Sequence, residues 1–135
     1  MADAAPGQRT RPLSPHITQW RWHVTMAASI LTRFTGIVLY GGALLLAIWA
    51  LALASGPESY GLFMGLIGSM LGRLILVALT FSVFYHLAAG IRHLVFDVGK
   101  GLAPATASLT AWLIIGFAVV ATFGVWAYAY VTGLL

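Results

Sequence analysis

The sequence predicts an all-α membrane protein with three transmembrane helices, its N-terminus in the cytoplasm and its C-terminus in the periplasm. Of the 135 residues, 61% are hydrophobic and 7% are charged, and the mean hydropathy is +0.95. A soluble domain of this size has no interior large enough for that much apolar surface, so lipid must cover much of it. Three long stretches lack Asp, Glu, Lys and Arg, and they are Phe34 to Pro57, Leu74 to Ile91 and Gly101 to Leu135.

The first element is a polar N-terminal arm, residues 1–24, which we predict to lie in the cytoplasm. Its start, MADAAPGQRTRPLSPH, lacks the apolar centre of a secretory signal. It also differs from the Arg- and Ser-rich amphipathic segments that address proteins to mitochondria. We therefore predict a multi-pass protein of the bacterial inner membrane.

Residues 25–135 form the predicted membrane domain, with spans near residues 31–54, 65–95 and 109–134. Each uncharged stretch can hold a helix of about 20 residues, the length that crosses a bilayer. The first connection, SGPESYG, predicts a turn, and the second ends at Ser108, which we predict as the N-cap of the third helix. Glycines at small-xxx-small spacing predict close helix packing, and they are Gly61, Gly65, Gly68 and Gly72.

The positions of the basic residues predict the orientation. The N-terminal side carries four arginines, which are Arg9, Arg11, Arg21 and Arg33. The second connection adds Arg92 and Lys100, whereas the 55–64 loop and the C-terminal end carry none. Because basic loops stay in the cytoplasm, we predict that the N-terminal side and the second connection lie inside. We interpret the net charge of +4 as topological information and expect no nucleic-acid partner.

Two histidines lie near the end of the second span. At 100° per residue, His86, Gly90 and His93 share a helix face, and a neutral imidazole is a good axial ligand for haem iron. Ala89 and Gly90 would leave space for a macrocycle. The two histidines are about 10 Å apart along the axis, so they cannot bind one iron, and a second ligand must come from another chain. The alternative is a buried histidine bonded to a neighbouring backbone group.

Ser29 and Arg33 lie one helical turn apart at the start of the first span. A hydroxyl donor beside a fixed cation suits a quinone carbonyl, since that oxygen gains negative charge on reduction. The alternative is that Arg33 is an interfacial anchor and that Ser29 bonds back to its own helix. The chain has no cysteine, so it holds no iron–sulfur cluster through its own thiolates, and no Walker sequence appears.

Three segments together resemble one family. RPLSPH (residues 11–16), SILTRFTG (29–36) and HLAAGIRHLVFD (86–97) resemble the signature stretches of the cytochrome b556 membrane anchor subunit of succinate dehydrogenase, respiratory complex II. Their order, their spacing and the layout of three spans all match, over roughly residues 9–133.

The resemblance implies a role for each matching residue. His86 corresponds to the axial ligand of haem b, and a second membrane subunit supplies the other ligand. Ser29 and Arg33 correspond to residues that line the ubiquinone site beside the iron–sulfur subunit. The chain would then not oxidise succinate itself, because a flavoprotein subunit does so. It would anchor the soluble subunits to the bilayer and help to build the quinone site.

One position departs from the family pattern. Bacterial relatives often carry His before the conserved arginine, where it meets a haem propionate, but this chain has Thr32. We expect that contact to weaken or to pass to Arg92 or His93, with Asp97 holding one of these in place. Two alternatives stay open: the haem b anchor of a fumarate reductase or other quinone-linked dehydrogenase, and a haem-free membrane packing subunit.

Overall fold

The computed structural model describes residues 21–133, which form four α-helices. These are α1 (Val24–Ala54), α2 (Pro57–Gly68), α3 (Met70–Asp97) and α4 (Pro104–Val131). Helices α1, α3 and α4 are long and apolar enough to cross a membrane. The predicted all-helical fold with three spans is therefore confirmed, whereas its orientation stays a prediction. The arm up to residue 20, with its RPLSPH segment, lies outside the described residues.

Two helix boundaries differ from the predicted ones because of local capping. Helix α1 begins at Val24, not near residue 31, with His23 as its N-cap: the Nδ1 atom of His23 accepts from the backbone N–H of Thr25 at 3.4 Å. Helix α4 begins at Pro104, which suits the first turn because it has no N–H to satisfy. The prediction of Ser108 as the N-cap was wrong, since its hydroxyl donates to the Pro104 carbonyl inside the helix.

A separate helix, α2, replaces most of the predicted turn and divides the predicted second span. Gly56 has φ 105°, a conformation that favours glycine, and Pro57 then opens α2. The helix ends before Ser69, whose backbone is extended. The Ser69 hydroxyl donates to the Leu66 carbonyl at 2.6 Å and accepts from the Gly72 N–H at 3.2 Å. One serine thus ends α2 and caps α3, and the second span begins at Met70.

The glycine spacing has a different meaning from the one predicted. A Cβ at Gly72 would collide with the carbonyl oxygens of Leu66 and Ile67, so this glycine permits the close turn between α2 and α3. Nothing in residues 21–133 lies within 4 Å of a Cβ built at Gly61, Gly65 or Gly68. Within that part of the chain, three of the four glycines therefore form no close helix contact.

Helix α3 packs between α1 and α4 and runs antiparallel to both. Its His86 and Leu79 face Gly36 and Gly42 of α1, and its Thr80 and Arg92 bond to Trp126 and Thr110 of α4. Small residues let these helices approach closely. The core cluster joins α3 to α4 and consists of Tyr85, Ala89, Ile114 and Ala118. The large apolar side chains mostly face outward, as expected of a protein that lipid surrounds.

Candidate haem and quinone site

His86 lies at the contact between α3 and α1. Its Nδ1 atom is 3.1 Å from the hydroxyl oxygen of Thr35, a residue that is only 1% exposed. The next residue of α1, Gly36, forms a wall beside the ring: a Cβ there would lie 3.3 Å from His86 Cε1. A hydrogen bond and a close backbone contact from consecutive residues therefore hold the imidazole against α1.

The second ring nitrogen of His86, Nε2, has no hydrogen-bond partner within residues 21–133. No fully enclosed side-chain nitrogen or oxygen in that range lacks a partner, so Nε2 is not fully enclosed there. Metal-binding imidazoles commonly donate one N–H to an oxygen and coordinate through the other nitrogen. The surroundings of His86 differ from the alternative of a histidine bonded to backbone, because its partner is a side-chain hydroxyl.

The residues around His86 fit a haem better than a bare metal ion. No group of three or more His, Cys, Asp or Glu side chains in the described chain could hold an ion. A haem brings its own equatorial nitrogens, so an axial site needs a single imidazole from this chain. Gly90, one turn beyond His86, is exposed with nothing within 4 Å of a Cβ, whereas Ala89 is buried in the core. Of the two small residues predicted to leave space, only Gly90 lies at the surface.

Ser29 and Arg33 are both exposed on α1. Neither forms a hydrogen bond within residues 21–133, so the alternative in which Ser29 bonds back to its own helix is not observed. Thr35 faces His86, and α1 and α3 are antiparallel. A residue a given number of positions before Thr35 in α1 is therefore level with the residue the same number of positions after His86 in α3. Ser29 therefore lies at about the level of Arg92, roughly 9 Å along the axis from His86.

Arg92 forms two hydrogen bonds with α4. Its Nε donates to Thr110 Oγ1 at 3.0 Å, its Nη2 donates to the Ala107 carbonyl at 2.9 Å, and its guanidinium lies 4.4 Å from the centre of the Phe96 ring. Asp97 is exposed, and it forms no ion pair with Arg92 or His93 in the described part of the chain. The structure thus places Arg92 as a link between helices and does not bring Asp97 to either expected partner.

His93 and Thr32 have contrasting surroundings. His93 is exposed and packs edge-on against Phe96, with 6.2 Å between ring centres. The Thr32 hydroxyl donates to the Ala28 carbonyl at 2.8 Å, and the same carbonyl accepts from the hydroxyl of the fully buried Tyr85 at 2.8 Å. Thr32 therefore has no hydroxyl proton left for another acceptor, while the His93 ring is accessible.

Sequence reasoning missed Thr35, which contacts His86 from 51 residues away. The residue stands inside the SILTRFTG segment, yet nothing in its spacing indicates that contact. Its local pattern predicts only a hydroxyl that bonds back to its own helix, which it also does.

Comparison with known proteins gives consistent matches. The family model of the succinate dehydrogenase/fumarate reductase transmembrane subunit matches residues 7–125. The succinate dehydrogenase cytochrome b556 subunit of Paracoccus denitrificans is 39% identical over 102 residues, which cover 76% of this chain and 77% of that protein. The b556 subunit of Rickettsia felis is 33% identical over 116 residues, covering 86% and 90%.

A mitochondrial relative matches as well. The succinate dehydrogenase cytochrome b560 subunit of Mus musculus is 40% identical over 116 residues, which cover 84% of this chain and 69% of that protein. Matches of this extent, on a fold with three candidate spans, leave one conclusion. The chain belongs to the family of succinate dehydrogenase/fumarate reductase transmembrane subunits.

Proposed function

We propose that the chain is the membrane anchor subunit of succinate:ubiquinone oxidoreductase, that it binds haem b together with a second membrane subunit, and that it forms part of the ubiquinone-reduction site. The observation that carries the proposal is the state of His86 on a candidate membrane-spanning helix: Nδ1 contacts Thr35, and Nε2 has no hydrogen-bond partner within residues 21–133. The names of the relatives, cytochrome b556 and b560 subunits, support a haem b.

The second haem ligand comes from a partner chain in this proposal. Besides His86, the described residues contain His23 and His93. His23 caps α1, and His93 is about 10 Å from His86 along α3, so neither would bind the same iron as His86. A bound haem would supply a one-electron redox centre. This chain contributes one imidazole and the open surface beside Gly90.

Polar contacts to the haem propionates fall most readily to His93. It is exposed and can donate, whereas Thr32 and Arg92 already donate to Ala28 and to α4. Arg92 retains further N–H groups and a positive charge, so it supports a propionate electrostatically. Asp97 has no described partner at this end of α3, and it would orient His93 only in a rotated side-chain conformation.

Ser29 and Arg33 form this chain's part of the quinone site. Arg33 stabilises the negative charge that develops on a quinone oxygen, and Ser29 donates a hydrogen bond to a quinone carbonyl. Both side chains are exposed and unbonded within residues 21–133, which leaves them available to substrate and to a partner. Electrons would arrive from the iron–sulfur subunit, which with the flavoprotein subunit docks on the cytoplasmic side.

The proposed location is the bacterial inner membrane, with the N-terminus in the cytoplasm. The arginine-rich start of the chain and its uncharged C-terminal end support this orientation. The Paracoccus and Rickettsia relatives support a bacterial source of the fold, although a mammalian mitochondrial relative is equally similar.

Co-purification tests the proposal. Tagged chain, isolated in mild detergent, should carry a flavoprotein, an iron–sulfur protein, a second membrane subunit and a reduced b-type absorbance spectrum. Succinate should reduce ubiquinone in this preparation. Because the family description also covers fumarate reductases, the reverse reaction is assayed with fumarate and a quinol. A faster fumarate reaction would favour the fumarate reductase reading, and a preparation without haem would overturn the haem assignment.

A further inference from the structure

The hydroxyl of Thr35 lies within hydrogen-bond distance of one ring nitrogen of His86 and of two backbone carbonyls. It has one proton and three neighbours: the Leu31 carbonyl at 2.8 Å, the Thr32 carbonyl at 3.1 Å and His86 Nδ1 at 3.1 Å. The two carbonyl oxygens can only accept. If the proton points to a carbonyl, a lone pair of Oγ1 faces Nδ1, and Nδ1–H can donate to it. This arrangement forms two hydrogen bonds.

The opposite arrangement forms fewer bonds. If the Thr35 hydroxyl donated to an unprotonated Nδ1, its bonds to the α1 carbonyls would be lost and Nε2 would carry the proton. Hydrogen bonds left unformed are costly on a helix that lipid surrounds, since water cannot replace them. The geometry therefore favours a proton on Nδ1 and a lone pair on Nε2, the atom that has no hydrogen-bond partner within residues 21–133.

We propose that Thr35 is a positioning residue that sets the tautomer and the orientation of His86, so that Nε2 is presented as an iron ligand. The inference rests on the proposed function, because it presupposes that His86 binds haem. Gly36 assists from the adjacent position, where the missing Cβ lets the ring lie close to α1. A hydroxyl that already donates to a carbonyl is a better acceptor, so the bond from Nδ1–H also makes Nε2 more basic.

Substitutions at position 35, in the intact complex, separate the hydroxyl from the shape of the side chain. Thr35→Val keeps the β-branched shape and removes the hydroxyl, Thr35→Ala removes both, and Thr35→Ser keeps the hydroxyl. The matched control is Thr122→Val, since Thr122 is also buried and bonds back to its own helix, at Ala118. Loss of a partner of a metal-bound histidine typically weakens metal binding about 10–100-fold.

The readouts are haem retention per complex, the low-spin electron paramagnetic resonance signal and the haem reduction potential. We expect Thr35→Val and Thr35→Ala to lose haem about 10–100-fold more readily, to broaden the low-spin signal and to raise the potential, because Nε2 donates less electron density to iron. Thr35→Ser and Thr122→Val should behave like the wild type. Assembly is followed separately by subunit stoichiometry and by succinate oxidation with a dye that bypasses quinone.

Each result has a distinct meaning. Wild-type haem properties in Thr35→Val and Thr35→Ala would overturn the positioning role and leave the proposed function intact. Full haem retention in His86→Ala would instead overturn the ligand assignment on which the proposed function depends. If both hydroxyl-free variants failed to assemble while Thr122→Val assembled, Thr35 would be a residue that joins two helices, and the proposal would be overturned as well.

Discussion

At the scale of single residues, depth and accessibility separate His86 from His93. His86 is half-buried against α1, and its Nδ1 atom has a fixed oxygen partner. His93 lies about two turns further along α3, is exposed, and has only an aromatic contact with Phe96. A histidine that binds haem iron needs a fixed ring orientation, whereas one that contacts a propionate needs only to lie within hydrogen-bond distance of it. The two histidines therefore suit the different roles that the proposed function gives them.

Replacing each histidine in turn tests this division. We expect His86→Ala to abolish the low-spin spectrum of the complex, because it removes the proposed iron ligand. His93→Ala should keep the low-spin spectrum and change only the haem potential, since it alters the charge environment near the propionates. Absorbance and paramagnetic resonance spectra of the two purified complexes provide the comparison. A low-spin spectrum that survived in His86→Ala and vanished in His93→Ala would reverse the assignment.

Ser29 and Arg33 can be tested through the electron acceptor. Arg33→Ala and Ser29→Ala should each slow ubiquinone reduction, by about 10²–10³ for a preorganised group that meets developing charge. Arg33→Lys should recover part of the rate, because it keeps the charge without the planar fork. Succinate oxidation by a soluble dye that acts before quinone should survive in all three variants. A parallel loss in both assays would mean that these residues hold the complex together.

At the scale of helices, the junction between α2 and α3 depends on a serine and a glycine. Ser69 bonds to both helices, and Gly72 allows the carbonyls of Leu66 and Ile67 to approach the first turn of α3. The turn is therefore a specific structure, and a methyl group at position 72 has backbone atoms in its way. Backbone cannot move aside as the end of a flexible side chain can.

Gly72→Ala should destabilise the assembled complex, although alanine is a better helix former than glycine by about 1 kcal/mol. The steric clash with two carbonyls exceeds that gain, so we expect a loss of a few °C in the thermal midpoint. Gly65→Ala is the matched control, since open space surrounds position 65 within the described chain. Thermal unfolding of both variants in detergent provides the test. Equal midpoints for Gly72→Ala and the wild type would contradict the close turn.

The link between α3 and α4 depends on the planar fork of Arg92. Hydrogen bonds from a charged donor each contribute about 1.5–3 kcal/mol, and Arg92 forms two with α4. Arg92→Ala should therefore lower the thermal midpoint of the complex, and Arg92→Lys should restore only part of it, because an ammonium cannot span both acceptors. Lys100→Ala removes a charge from the same end, and within residues 21–133 the Lys100 side chain forms no hydrogen bond or ion pair with α4. A similar effect of Lys100→Ala would assign the loss to charge alone.

At the scale of the whole molecule, the candidate site residues lie mostly on the surface of the helix bundle. Within residues 21–133, Ser29 and Arg33 are exposed, Nε2 of His86 has no hydrogen-bond partner, and open space surrounds a Cβ at Gly90. The buried residues of that part of the chain are mostly small, together with Tyr85 and Ile114 at the contact of α3 with α4. In the proposed function other chains complete the site, since one helix face cannot enclose a macrocycle.

The isolated chain should therefore not bind haem as the complex does. Expressed without a second membrane subunit, it should show no low-spin spectrum with two histidine ligands, because neither His23 nor His93, the other histidines of residues 21–133, lies within reach of the same iron. Co-expression with the second subunit should restore that spectrum. Absorbance spectra of haem-supplemented membranes from both expressions make the comparison. A six-coordinate low-spin spectrum from this chain alone would show that the second ligand is its own.

The sequence by itself determined the features that depend on local pattern. Long stretches without charge predicted three spans, because the bilayer requires about 20 apolar residues in a row wherever they fold. The spacing of Ser29 with Arg33, and of His86 with Gly90, predicted shared helix faces, since helix geometry fixes them. Signature segments at those positions indicated the family before any comparison.

Only the tertiary structure decided which residues meet across helices. The contacts of Thr35 with His86 and of Tyr85 with Ala28 join positions 51 and 57 residues apart. These contacts depend on the antiparallel register, which is set by how small residues pack along the whole length of α1 and α3. The periodicity of one helix does not predict its register against another. The bonds from Arg92 to Thr110 and Ala107 were missed for the same reason, since they join α3 to α4. The division at Ser69 is local and depends on how one hydroxyl bonds to Leu66 and Gly72, each three residues away.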